Sequence, residues 1–204
     1  MQPPADETEL EERLSRPTPA LAVVLGQVTG DLTVLGAGGK MGPSLARMAK
    51  RANPERRVIA VSRWSNPAAA AALRHIGIEI VTADLLDPRS LAALPDAENV
   101  VFMAGQKFGT AASPASTWAM NAAVPAFVAE RFRGARTVVF STGNVYPLTH
   151  PLSGGSREDD EPAPVGEYAA SCLARERLFE SAAHRHGSPV AIVRLSYAHD
   201  LRYG

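Results

Sequence analysis

Short, nearly all-apolar segments alternate along the chain with alanine-rich stretches, and this alternation constrains the fold most strongly. From Asp31 onward the apolar segments are LTVL at 32–35, VIAV at 58–61, IEIV at 78–81, NVVFMA at 99–104, TVVF at 137–140 and VAIVRL at 190–195. Such strands are buried on both faces, as in a parallel sheet between two layers of helices. Helical stretches follow Lys40, Pro67, Pro88, Pro114 and Val165. The pattern predicts an α/β fold, a doubly wound parallel sheet with helices on both faces.

The first 30 residues lack this alternation. ADETELEERLSR at 5–16 predicts a polar amphipathic helix, and Thr18 before Pro19 forms a suitable cap and first residue for a second helix. We therefore predict a helical extension over 1–30 and a single α/β domain over 31–204. The segment 147–164, rich in Pro, Gly and acidic residues, predicts an exposed loop of a length that is often functional.

Composition excludes several classes of protein. The 204 residues include 21 basic and 21 acidic side chains, which gives no general attraction to nucleic acid or anionic lipid. No apolar run approaches the roughly 18 residues of a membrane helix. The acidic start lacks the basic region of a signal peptide, and the lone Cys172 cannot form an internal disulfide. We expect a cytoplasmic protein that binds neither nucleic acid nor membrane, and we predict no metal site.

A glycine-rich turn, GAGGKMG at 36–42, joins the first predicted strand to a helix. Glycines at 36, 39 and 42 permit a tight turn, close approach of the backbone to a pyrophosphate and close helix-to-strand packing, while the helix N-terminus offers N–H groups to phosphate. Strand, turn and helix in this order predict nucleotide binding rather than a tight structural turn. The predicted cofactor-binding residues here are Gly36, Gly38, Gly39, Lys40, Met41 and Gly42.

The end of the second predicted strand bears on the choice of nucleotide. About 20 residues beyond the glycines, where a carboxylate would hold a ribose 2′-hydroxyl, the chain reads Ser62-Arg63. An arginine pairs with a phosphate in a bidentate way, so Ser62 and Arg63 favour NADP over NAD as the cofactor. The alternative is that Arg63 is an ordinary solvated surface residue.

Two more strand ends carry candidate cofactor contacts. Asp84, followed by Leu85, is placed to accept a hydrogen bond from an adenine amino group, or equally to cap the helix that follows Asp87. Ala104 and Gly105 are small enough to let a cofactor lie across the strand ends.

Two later motifs, STGNVYP at 141–147 and YAASC at 168–172, complete an ordered set with GAGGKMG at 36 and DL at 84. Over residues 32 to about 200 this set resembles the extended short-chain dehydrogenase/reductase superfamily, in its NAD-dependent epimerase/dehydratase group. The resemblance implies a Rossmann-type fold, an NADP or NAD cofactor, and hydride transfer at a hydroxyl or keto carbon of a sugar nucleotide or similar metabolite. By analogy alone it also implies a homodimer.

The resemblance also assigns roles to individual residues. Thr142 would orient the substrate oxygen, and Tyr168 would be the acid/base that exchanges a proton with it while hydride moves to or from nicotinamide. Asn121 matches the family asparagine that supports the site, and it equally fits a buried polar residue of the core.

The sequence departs from the family where Cys172 stands in place of a lysine. In the family that ammonium lowers the pKa of the tyrosine and holds the nicotinamide ribose, whereas a thiol is mostly neutral at pH 7. Only three lysines occur, and none follows Lys107. Lys107 is one alternative cation. Arg175 shares the helix face of Tyr168 but lies about 10 Å further along the axis, which predicts a poor replacement.

The missing lysine supports a second hypothesis, a non-catalytic NAD(P)-binding module or truncated pseudoenzyme. Cys172 itself reads either as a nucleophile or as an inert, half-buried thiol. The chain stops at Gly204, near where family members turn toward a substrate-binding lobe, and we expect that lobe to be largely absent. His199, Asp200 and Arg202 resemble its beginning.

Overall fold

The computed structural model describes residues 3–107, 109–110 and 112–196, so the expectation for His199, Asp200 and Arg202 lies outside the described residues. Within these ranges the strands are β1 (Leu32–Leu35), β2 (Val58–Ser62), β3 (Glu79–Thr82), β4 (Asn99–Phe102), β5 (Arg136–Thr142) and β6 (Val190–Leu195). They form a six-stranded parallel sheet in the order β3-β2-β1-β4-β5-β6. This strand order confirms the predicted Rossmann-type α/β fold.

Helices join the strands, most of them starting at a proline in the first turn, where the missing N–H costs nothing. Their bounds are α1 (Glu7–Leu14), α2 (Pro19–Gln27), α3 (Gly42–Ala52), α4 (Pro67–His75), α5 (Pro88–Ala92), α6 (Pro114–Trp118), α7 (Val124–Arg131) and α8 (Gly166–His186). Side chains of Asp6, Thr18, Asn66 and Asp87 cap α1, α2, α4 and α5. One π-helical turn, Ala119–Ala123, separates α6 from α7.

The described chain divides into two compact units, 3–84 with 94–103, and 85–93 with 104–196. In the first unit, β1 and β2 are buried along nearly their whole length, and Val34, Ala60, Leu73 and Ile78 belong to one core cluster. In the second unit, α8 packs on β5, β6 and α7. Burial of side chains such as Phe179 there contributes about 1.5–3 kcal/mol each.

The two outer strands differ from the prediction that every strand is buried on both faces. Strand β3 is only partly buried and β6 alternates between partly buried and exposed residues, with Val193 38% exposed. Both lie at the edges of the sheet, where a strand has one neighbour instead of two.

Helices α1 and α2 are the two helices predicted ahead of the first strand, and both contact α3. Arg51 of α3 binds the Glu12 carboxylate at 2.7 Å, and Ser44 donates to Glu11 at 3.0 Å. The buried Arg56 guanidinium donates to the Leu25 carbonyl at 2.7 Å. Polar contacts of a few side chains therefore fasten the N-terminal helices to the first unit.

Candidate functional site

The glycine-rich turn follows β1 directly in the first unit. Gly36 adopts a φ of 88°, which favours glycine, and its N–H donates to the Val61 carbonyl at 2.9 Å. The turn closes as Gly39 N–H donates to the Gly36 carbonyl at 3.1 Å. Helix α3 then begins at Gly42, and Met41 at its N-cap makes no side-chain capping hydrogen bond. The first N–H groups of α3 are thus left to solvent or to a ligand.

Gly42 marks the closest approach between the helix and the turn. A β-carbon at this position would lie 2.3 Å from the carbonyl oxygen of Ala37 and 2.6 Å from its carbonyl carbon. Both atoms belong to the backbone, which cannot shift to accommodate a β-carbon without a substantial cost in free energy. At Gly42 the structure therefore shows the close packing of helix against strand that the sequence predicted.

Replacing Gly42 with alanine should destabilise the protein by about 1–3 kcal/mol, the usual cost of overpacking, and should weaken nucleotide binding at least tenfold. Gly26→Ala is the matched control, because its β-carbon meets nothing within 4 Å and alanine is the better helix former in α2. Urea denaturation and calorimetric titration measure both effects. Wild-type stability and affinity in Gly42→Ala would contradict the assigned role.

The end of β2 lies against the same turn. A β-carbon at Gly38 would meet Ser62 Oγ at 2.5 Å, so the predicted residues Gly38 and Ser62 are direct neighbours. Trp64 is buried with a φ of 52° and donates from Nε1 to the Val81 carbonyl at 3.0 Å. Arg63, between these two anchored residues, has an exposed side chain. An exposed guanidinium is available to a phosphate, although exposure also fits a solvated surface residue.

The alternative in which Asp84 caps the next helix is wrong. Asp87 is the cap, since its carboxylate accepts from the N–H groups of Arg89 and Ser90, both at 3.1 Å. An Asp immediately before a proline at the first helical position is the favoured capping arrangement, and Asp84 lies three residues too early. The adenine contact proposed for Asp84 and Leu85 stays a prediction.

Thr142 and Tyr168 come together in the second unit. Thr142 ends β5, and Tyr168 lies in the first turn of α8. The half-buried Tyr168 side chain lies next to Thr142 and to Cys172, one helical turn later, and both influence its pKa. Burial raises the pKa of Tyr168, and a negative charge on Cys172 would raise it further, whereas the Thr142 side chain and the Arg175 charge lower it. Two residues predicted from separate motifs therefore lie next to each other and interact.

Cys172 is completely buried. Burial raises the pKa of its thiol, against the opposing effects of the Arg175 charge and the Tyr168 hydrogen bond. A buried, protonated thiol is a poor nucleophile, and this favours the inert-thiol interpretation over nucleophilic catalysis.

Asn121 is completely buried within the π-helical turn. Its Oδ1 accepts from Gln106 N–H at 2.8 Å and from Arg175 Nη2 at 2.9 Å. Its Nδ2 donates to the Gln106 carbonyl at 2.9 Å and to Ser171 Oγ at 3.0 Å. All four hydrogen-bonding positions of the amide are therefore used. Asn121 is a satisfied buried polar residue that also braces α8.

The sequence interpretation of Arg175 considered only its backbone position and not the reach of its side chain. The backbone separation from Tyr168 was estimated correctly, but long side chains in a helix extend back toward its N-terminus. The guanidinium donates to the Phe140 carbonyl and to Asn121 Oδ1, both at 2.9 Å, and its charge lowers the pKa of Tyr168. Lys107, the other alternative, has an exposed side chain.

A buried ion pair next to Arg175 was not predicted at all. Glu176 is completely buried and binds Arg194 of β6 through three hydrogen bonds of 2.8–3.2 Å. The Ser141 hydroxyl donates to the same carboxylate. An apolar strand that contains one arginine, VAIVRL, was the available signal, because such an arginine needs a buried acidic partner.

Comparison with known proteins decides the family. The family model described as NAD dependent epimerase/dehydratase family matches residues 32–198. The chain belongs to this family. Neither a membrane-spanning helix nor a group of three or more metal-binding side chains occurs within the described ranges of this family member.

Solved structures support the same fold. The chain is 20% identical, with a TM-score of 0.68, to UDP-glucuronic acid 4-epimerase from Bacillus cereus in complex with NAD, covering 81% of this chain and 56% of that one. The UDP-Glc/GlcNAc 4-epimerase from Campylobacter jejuni is 19% identical to this chain with a TM-score of 0.71. That match covers 80% of this chain and 52% of the epimerase chain. RMD from Pseudomonas aeruginosa complexed with NADPH is 24% identical to this chain with a TM-score of 0.64. That match covers 82% of this chain and 54% of the RMD chain. The chain thus spans about half the length of these structures. No curated protein sequence matches it.

Proposed function

We propose that this epimerase/dehydratase family member binds NADP(H) or NAD(H) and transfers hydride at a hydroxyl or keto carbon of a sugar nucleotide or similar small metabolite. The observation that carries the proposal is the juxtaposition of Thr142, a hydroxyl residue at the end of a parallel strand, and Tyr168, a phenol close enough for Thr142 to influence its pKa. The similar epimerase structures with bound NAD support the choice of cofactor.

The first unit suits a dinucleotide. The turn over 36–42 brings backbone close to any group seated there, and Met41 leaves the start of α3 without a side-chain cap. The pyrophosphate would lie against these N–H groups, and the exposed Arg63 would pair with a 2′-phosphate. When bound, the nicotinamide would accept or deliver hydride.

The second unit supplies the proton chemistry. A tyrosine has an ordinary pKa of about 10, and burial raises that of Tyr168 further, so its phenol is protonated at neutral pH and can donate a proton to a substrate carbonyl oxygen. Thr142 would hydrogen-bond the same oxygen and hold it beside the phenol. In the opposite direction the phenolate would accept the proton of a substrate hydroxyl. Ketone reduction is therefore the direction favoured at neutral pH.

We also propose that the protein is cytoplasmic, acts on a small molecule and, by analogy with its family, forms a homodimer. The replacement of the family lysine by Cys172 favours one second candidate, an NAD(P)-binding module without turnover.

Titration of the protein with NAD, NADH, NADP and NADPH tests the proposal. We expect the tightest binding for the 2′-phosphorylated pair, because a charged hydrogen bond to Arg63 contributes about 1.5–3 kcal/mol. Arg63→Gln should then lose roughly tenfold or more in NADPH affinity and little in NADH affinity. Arg74→Gln, at an exposed arginine of α4, is the matched control. Failure to bind any of the four nucleotides would overturn the proposal, whereas binding without turnover of any sugar nucleotide would favour the second candidate.

A further inference from the structure

The Arg175 guanidinium occupies an enclosed position in the second unit. The residue is only 7% exposed, and it is held by the Phe140 carbonyl at the end of β5 and by Asn121 Oδ1 in the π-helical turn. Arginine stays protonated in proteins, so this position carries a buried positive charge.

The segment after β4 is shaped around that charge. A β-carbon at Gly105 would lie 2.4 Å from Arg175 Nη2 and 3.0 Å from Asn121 Oδ1. Any larger residue at 105 would displace the guanidinium or break its hydrogen bond to Asn121. Gly105, predicted from the sequence as a cofactor contact, also makes the room that Arg175 needs.

Tyr168, Cys172 and Arg175 share one face of α8 at positions i, i+4 and i+7. The Arg175 guanidinium binds the Phe140 carbonyl, two residues before Thr142 on β5. Glu176 directs its carboxylate to Arg194 and Ser141, and its charge raises the pKa of Cys172. The Arg175 charge lowers the pKa of both Tyr168 and Cys172, whose own values are raised mainly by burial. Cys172 works in the opposite sense, because a thiolate there would raise the pKa of Tyr168 further.

We propose that Arg175 is a positioning residue that supplies the positive charge stabilising the Tyr168 phenolate during proton exchange, with Asn121 and Gly105 fixing its guanidinium. The inference rests on the proposed function and deepens it. When Tyr168 donates, its proton moves to the substrate oxygen, the electron pair of the O–H bond stays on the phenolate, and the proposed nicotinamide cofactor supplies the hydride. The guanidinium does not react. Its charge offsets the one that forms on the phenolate.

The test measures the ionisation of Tyr168 directly, without turnover. An ultraviolet difference titration of the protein against its Tyr168→Phe variant reports the pKa of this one phenol. In Arg175→Met we expect that pKa to rise by at least about one pH unit, the smaller end of the effect of an adjacent opposite charge. Arg177→Met is the matched control, since Arg177 lies on the same helix with an exposed side chain paired to Glu180. It should leave the titration unchanged.

Two further variants keep the inference falsifiable if Arg175→Met does not fold. Arg175→Lys retains a charge but with a shorter reach, so a smaller rise is expected. Adding Cys172→Lys to Arg175→Met returns a cation one turn from Tyr168 and should lower the pKa again. An unchanged Tyr168 pKa in a folded Arg175 variant would overturn the inference. Wild-type protein that shows the expected titrations but no turnover would contradict the proposed function alone.

Discussion

Replacing Tyr168 with phenylalanine should reduce turnover about 10²–10⁴-fold, the usual contribution of a positioned acid/base, while nucleotide affinity stays near that of the wild type. The phenol is the group proposed to exchange a proton with substrate, and phenylalanine keeps the ring that packs in the first turn of α8. Steady-state kinetics with the best substrate found, together with calorimetric binding of the cofactor, separate the two effects.

Tyr146→Phe is the matched control for this experiment. The Tyr146 hydroxyl accepts from Arg194 Nη1 at 2.9 Å, so its loss should lower stability without removing the proton donor. Retained turnover in Tyr168→Phe would refute the assigned role, as would an equal loss in both variants.

The pH dependence of turnover also tests the role of Tyr168. Because burial raises the Tyr168 pKa, ketone reduction should be constant through neutral pH and fall only as the pH passes that raised value. Alcohol oxidation should rise with pH over the same interval. The raised pKa of Tyr168 also makes the free energy of unfolding depend on pH. Its stabilising contribution is fully present below the unfolded-state pKa of about 10 and is lost as the pH rises through the folded-state pKa.

Replacing Arg194 with methionine should lower the free energy of unfolding by about 3–5 kcal/mol, the second large effect we expect. The substitution leaves the Glu176 carboxylate completely buried without its cation. Urea denaturation measures the loss.

Two comparisons make this stability experiment specific. Arg185→Met removes a surface pair with Glu130, in which the arginine is 58% exposed, and should cost less than about 1 kcal/mol. Adding Glu176→Leu to Arg194→Met removes both charges and should recover much of the loss. A single Arg194→Met variant as stable as Arg185→Met would show that the buried pair contributes little.

The fold was largely predictable because the hydrophobic pattern of a sequence indicates which segments are buried, and in this chain the buried segments coincide closely with the strands. β1 and β6 have the predicted bounds, whereas β5 runs on to Thr142. The partial exposure of β3 and β6 was not predictable, because strand order is set by long-range pairing rather than by local pattern. The π-helical turn at Ala119–Ala123 likewise leaves no mark in composition.

At the site, the sequence predicted the residues that belong to recognisable motifs. It missed the residues whose contacts depend on how far a side chain extends from its backbone position. Thr142 and Tyr168 were predicted, and the structure places them next to each other. Helix rise predicts the backbone position of Arg175 but not that its side chain reaches the Phe140 carbonyl and Asn121 Oδ1. Glu176 and Arg194 lie 18 residues apart on a helix and a strand, and no local pattern pairs them.

The Asn121 amide does for Gln106 what the peptide group of an adjacent strand would do, since it binds both the N–H and the carbonyl of one residue. Aspartate has no donor to offer there, and glutamine is one methylene too long for the same geometry. Selection for a folded chain alone would therefore retain asparagine at this position in descendants that had lost all catalytic activity. Among relatives of this protein, persistence of Tyr168 would be evidence of activity, whereas persistence of Asn121 alone would not distinguish an active protein from one that only folds.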